Sequence, residues 1–199
     1  YLLARYEEYL PHHKDEYGRY DHKNSLAYKE NFLHQPLINI WLKDFRKRLA
    51  EKDTSFSEIN NQFTFVPTYD IDIAWSYLNK GRKRNIGGFI RDLFQGKLWY
   101  INKRLRVLRG KDQDPFDSYR WMEELHDRYK LSPIYFFPVA EKTGKYDKNT
   151  SPKNQNYKSL ITQVAKKYKV GLHPSWQSGD LPSLMTEELN TLNDISKTM

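Results

Sequence analysis

Asp70 and Asp72 stand one residue apart at the end of the apolar run FTFVPTYDI, and His173 follows the apolar run KVGL about a hundred residues later. Side chains alternate along a strand with period two, so two acids one residue apart share a face. Carboxylate and imidazole are also the divalent-metal ligands open to a chain without cysteine. Three such residues, each closing an apolar run, raise the chemistry of a metal-assisted reaction. Each has a plainer reading beside it. An acidic pair often caps the next helix or sits in solvent, and a histidine at a strand end is often a hydrogen-bonded structural residue.

The elements that would position these residues alternate along the chain. FTFVPTYDI (63–71) reads as a strand, with Pro67 marking a bulge or a sheet edge. Two apolar-periodic segments follow, broken near Gln95 and Gly96, and then DSYRWMEELHDRY, with Trp121, Met122, Leu125 and Tyr129 on one helical face. SPIYFFPVA is a second strand, NYKSLITQVAKKY a helix, KVGLHPSW a short third strand and LPSLMTEELNTLNDI a closing helix. Alternation of this kind predicts an α/β fold with parallel strands, whose chemistry collects at the C-terminal strand ends. Residues 1–50 read as the C-terminal part of a preceding domain, ending in a helix with Leu37, Ile38, Trp41, Phe45 and Leu49 on one face. The polar run EKDTSFSEINNQ (51–62) has no periodicity and reads as a linker, and residues 63–199 form the second domain.

The chain has 199 residues and a formal charge of +8, but that charge is local. Residues 79–111 carry eleven Lys or Arg against one acid, Asp92, which places +10 there and −2 in the remainder. The same segment has the amphipathic pattern Ile86, Phe89, Ile90, Leu93, Phe94, Leu98, Ile101, Leu105 and Leu108. Helices with Ile86, Phe89, Leu93 and Leu105 turned inward and a solvated basic face are expected. The other reading of 80–111 is an anionic membrane surface or a phosphate-rich polymer as partner. No run of about 18 apolar residues is present, so no transmembrane segment is expected. Absence of cysteine excludes disulfides and thiolate sites. A chain starting at Tyr1 is expected to be part of a longer protein, and nothing in it chooses between a cytoplasmic and a cell-envelope location.

TYDID followed by VGLHPSW resembles the first two motifs of the NodB-type polysaccharide deacetylases. The first motif in that family is Thr-Phe-Asp-Asp-Gly or a divergent Asp-x-Asp form, and the second is Gly-x-His-Ser/Thr-x-x-His. The surrounding TYDIDIAWSYLNKG, DPFDSYRWMEELHDRY and GKYDKNTSP are similar to a divergent bacterial branch in which a poorly characterised N-terminal domain precedes the barrel. The resemblance implies the first half of a deacetylase-type (β/α) barrel and a metal-dependent hydrolase acting on an acetylated polysaccharide or sugar conjugate. It implies Asp70 as the general base, Asp72 as the metal-ligating acid and His173 as the first metal-ligating histidine, with zinc the expected ion. The second motif histidine falls at Gln177, a poor zinc ligand, which leaves Ser175, Ser178, water or a residue of the barrel's second half as the remaining ligand. The alternative is a catalytically silent carbohydrate-binding or scaffold module. Nucleic acid is not the expected partner, since the basic segment alone points to it.

Overall fold

The computed structural model describes residues 1–53, 55, 62–144 and 146–197. The chain divides into two compact units, Tyr1–Phe63 and Thr64–Met199. Most of the expected linker at 51–62 lies outside the described residues.

The first unit is held by short polar turns. Asp15 accepts hydrogen bonds from the backbone N–H groups of Tyr17 and Arg19, and Lys14 pairs with Tyr20 in an antiparallel bridge. The Ser25 hydroxyl accepts from the Tyr28 N–H and caps α1 (Leu26–Lys29). Helix α2 (Leu37–Ala50) forms over the expected residues, yet it buries none of them. Trp41 and Phe45, expected on a packed face, are exposed. A unit of this size has little interior to offer an apolar stripe.

The second unit is a mixed helix–sheet fold built on three parallel strands in the order β1-β2-β3. These are β1 (Thr68–Asp70), β2 (Ile134–Phe137) and β3 (Lys169–Leu172). The register sets Asp70 beside Phe136 and Phe136 beside Gly171. The first strand is shorter than the run 63–71 suggests. Pro67 has no N–H to donate, its carbonyl accepts from Ile134, and Phe63 and Phe65 ahead of it are exposed.

The helices are α3 (Gly81–Phe94), α4 (Leu98–Leu108), α5 (Tyr119–Tyr129), α6 (Gln155–Lys167) and α7 (Pro182–Ser196). Tyr135 and Phe137 of the central strand pack with Tyr157, Leu160 and Ile161 of α6, Leu192 and Ile195 of α7, Met122 of α5, and Ala74 and Trp75. This is one continuous core under the sheet's middle strand.

Two helix faces depart from their sequence pattern. In α5, Met122 is buried as expected, but Trp121 and Tyr129 are exposed and His126 is buried in their place. The His126 ring lies in a cluster with Tyr69, Tyr135 and Tyr168, and its Nε2 meets the Tyr69 hydroxyl at 2.8 Å. A buried aromatic partner for the imidazole explains why a residue counted as polar takes the inner position. In α3 and α4 the expected inner face holds in part. Phe89 and Leu105 are half-buried, Ile86 and Leu93, expected inside, are exposed, and Asp92, Arg104 and Val107 are buried. The break between the two helices falls where expected, at Gln95–Lys97, with Gly96 at φ 66°.

Candidate functional site

Parallel pairing on both sides of β2 brings the singled-out residues to one end of the sheet. The Ile71 N–H donates to the Phe136 carbonyl at 2.9 Å, and the His173 N–H donates to the Phe137 carbonyl at 3.0 Å. Both ladders therefore run one residue past β1 and β3, and Asp72 and His173 leave the sheet together. His173 Nε2 lies 3.1 Å from Asp72 Oδ1, a distance at which the two side chains share one small site. The carboxylate of Asp72 is largely open to water, while the imidazole is one-third exposed. His173 Nδ1 is buried and has no hydrogen-bond partner among the described residues, and the other ring nitrogen is the one turned to Asp72.

Gly171 is part of this construction. Its partner in the register, Phe136, lays its ring so close that a Cβ at 171 would stand 2.6 Å from a ring carbon. A glycine two residues before His173 thus lets an aromatic side chain of β2 lie over β3 at this point.

Asp70 and Asp72 line a cleft of ≈ 300 Å³ with Ile71, Ile73, Phe116, Ser118, Tyr119 and Met122. Asp72 does not cap a following helix. The chain from Ile71 to Lys80 has only turns and bends, and α3 begins after Lys80 without a side-chain cap. What organises that segment is Asp114, a residue the spacing of motifs did not single out. Its buried carboxylate accepts hydrogen bonds from the backbone N–H groups of Ser76 (2.7 Å), Tyr77 (2.7 Å), Leu78 (3.0 Å) and Phe116 (3.0 Å). The Asp-Pro pair in DQDPFD was the available signal, since an acid before proline favours a turn that its own side chain can close. The Tyr119 hydroxyl adds a hydrogen bond to the Ala74 carbonyl at 3.0 Å, and burial pushes its pKa upward so that it stays a donor.

The turn after His173 is equally tied down. The Ser175 hydroxyl accepts from the Ser178 N–H, and the Ser178 hydroxyl donates to the Ser175 carbonyl at 2.7 Å. Both serines are buried, and the Ser175 N–H donates to Glu188 at 3.0 Å. These hydroxyls close their own 3-10 turn (Trp176–Gly179). Gln177 packs over Gly144, where a Cβ would stand 2.6 Å from its Nε2, and the Trp176 N–H donates to Asp147. The loop after β2 is thereby fastened to the turn after β3 through Asp147, which lies within the stretch GKYDKNTSP but carries no expected role there.

The structure therefore gathers Asp72 and His173 at contact distance, sets Asp70 and Asp72 on one cleft, and turns Gln177 to the neighbouring loop. Among the described residues, no three His, Cys, Asp or Glu side chains gather closely enough to hold an ion together. No helix among them is long and apolar enough to cross a membrane.

A family model described as a family of unknown function (DUF7033) matches residues 1–54, within the first compact unit. Neither the curated proteins nor the solved structures include a match to the chain.

Proposed function

We propose that residues 63–199 form the first part of a deacetylase-like (β/α) barrel and that the protein is a metal-dependent hydrolase removing acetyl groups from a glycan or sugar conjugate. The observation that carries this reading is the 3.1 Å approach of His173 Nε2 to Asp72 Oδ1 where two parallel strands end, with Asp70 on the adjoining cleft. Imidazole nitrogen and carboxylate oxygen suit zinc, and these two side chains would hold it. A bound divalent ion supplies an electrophile for the acyl oxygen and makes water acidic near neutral pH.

The protein's own residues divide the remaining work. Asp70, exposed at the strand end, accepts the proton of the attacking water, which requires a carboxylate free of the ligand pair. Ile71, Ile73, Phe116 and Met122 offer an apolar wall to the acetyl methyl group. Asp114 and Tyr119 hold the segment after β1 and so fix Asp70 and Asp72 relative to that wall. Acetate release from acetylated oligosaccharides by the full-length protein tests the assignment. Release that needs added zinc and is lost in Asp70→Asn supports it, and equal release by Asp70→Asn overturns the base assignment.

One observation favours a second reading. Gln177 lies against Gly144, and the hydroxyls of Ser175 and Ser178 are engaged within their own turn, so this strand end offers one metal ligand where the resembling family has two. A carbohydrate-binding module that kept the fold and lost the ion would look the same. It would bind acetylated glycan without releasing acetate.

A further inference from the structure

The orientation of α3 and α4 is fixed from their polar side. Arg104 of α4 is buried; its guanidinium donates to Asp92 of α3 at 2.7 Å and to Asn85 at 3.1 Å, and lies 4.8 Å from the centre of the Tyr77 ring. The Asn85 amide donates to the Tyr77 carbonyl, and Arg84 donates to the carbonyls of Lys148 and Asn149. Gly88 makes room for the guanidinium, since a Cβ there would stand 2.6 Å from Arg104 Nη2. An amphipathic helix pair normally turns its apolar stripe to the core. Here Arg104 takes a buried place through ionic and aromatic contacts, Phe89, Ile101 and Leu105 are half-buried, and Ile86, Ile90, Leu93, Phe94 and Leu98 are exposed.

That outward face is large and concentrated at the bend between the helices. Phe94 is 87% exposed, Leu98 67% and Trp99 67%, with Ile90, Leu93 and Tyr100 exposed beside them. An exposed apolar patch of this extent marks an interaction surface. Its charge says what kind. Residues 79–111 hold eleven Lys or Arg and one acid; Arg91 and Arg104 pair with that acid, Asp92, and Lys103 and Arg106 with Asp112, which leaves the excess positive charge on the other basic residues. Arg82, Lys83, Arg109 and Lys111 are exposed near the outer ends of the two helices, and Lys97 sits within the bend between Phe94 and Leu98. A nucleic acid would meet the positive charge but leave Ile90, Leu93 and Leu98 in water. An anionic bilayer takes both parts at once, with aliphatic and aromatic side chains at the acyl boundary and basic ones among the headgroups. Helices of 14 and 11 residues are suited to lying in the interface.

We propose that the α3–α4 hairpin is an interfacial anchor that seats on a membrane rich in anionic phospholipid, led by Phe94, Leu98 and Trp99. The proposal stands independently of the hydrolase reading. Co-sedimentation of the full-length protein with phosphatidylcholine vesicles, with and without phosphatidylglycerol, tests it. Binding to the phosphatidylglycerol vesicles, weakened but not abolished by salt, is the expected result. Leu98→Ser with Trp99→Ser lowers the partitioning about tenfold or more, because the transfer of two large apolar side chains is lost. Arg82→Glu with Lys83→Glu lowers it comparably. All four side chains are exposed, so both variants keep the wild-type circular dichroism, which serves as the folding control. Absence of vesicle binding, or undiminished binding by either variant, overturns the proposal. It is also overturned if the Leu98→Ser, Trp99→Ser pair abolishes self-association of a protein that never binds vesicles, or if DNA binds well and the same pair leaves that binding intact.

Discussion

Asp114 does at the level of one residue what a short strand end cannot do alone. Four backbone N–H groups converge on its carboxylate, three of them from the segment that carries the chain away from Asp70 and Asp72. Removing the carboxylate leaves those donors without acceptors in a buried place, which costs on the order of 1–3 kcal/mol for a group so orphaned. Asp114→Ala is therefore expected to lower stability by about 2–4 kcal/mol and to disorder the cleft. Asp114→Asn keeps one acceptor oxygen and should lose less. Urea unfolding of both variants checks the order; equal stability of wild type and Asp114→Ala would contradict it. Roles of this kind explain why some site residues were legible in the sequence and others were not. Asp70, Asp72 and His173 each end an apolar run, and a reader of runs finds them. Asp114 and Asp147 act on backbone N–H groups far away in sequence, and no local pattern records a partner at that distance.

At the level of elements, the helix pair α3–α4 rests on a buried charge pair. Burial alone would raise the Asp92 pKa, but hydrogen bonds from Arg104 and Arg91 outweigh it and hold the carboxyl below its ordinary 3.8. A carboxyl depressed in the fold contributes stability that is present above its unfolded value and disappears as pH falls through the folded one. The hairpin should thus loosen only in acid, below about pH 4. Asp92→Asn leaves Arg104 buried and unpaired, which costs about 3–5 kcal/mol at neutral pH and removes this part of the acid transition. Gly88→Ala acts on the same pair from the other side, pushing the guanidinium off Asp92 at a cost of about 1–3 kcal/mol. Thermal unfolding of the two single variants and the double variant should show losses well short of additive. Full additivity would mean that Gly88 and Asp92 do not act through Arg104. Periodicity placed both helices and the break between them correctly. It could not say which side faces the core, because a buried arginine–aspartate pair and an apolar stripe follow the same 3.6-residue period. The α5 face failed for a related reason, as His126 counts as polar in a pattern but packs as a ring among tyrosines.

On the scale of the whole molecule, strand–helix alternation predicted a parallel sheet, and the sheet has that form because β1, β2 and β3 are joined by helical crossovers. Because β1 and β3 both pair in parallel with β2, their C-terminal ends lie at the same end of the sheet on either side of it, and the residues that follow them can reach across β2. That is how Asp72 and His173, about a hundred positions apart, come to lie 3.1 Å from one another. The divalent ion proposed to sit at this meeting point is tested by calorimetric titration of zinc into the full-length protein. Saturable binding at one site is expected, lost in Asp72→Ala and in His173→Ala and retained in Asp70→Asn. Zinc binding whose heat is unchanged by Asp72→Ala, or the absence of any binding heat, would contradict it.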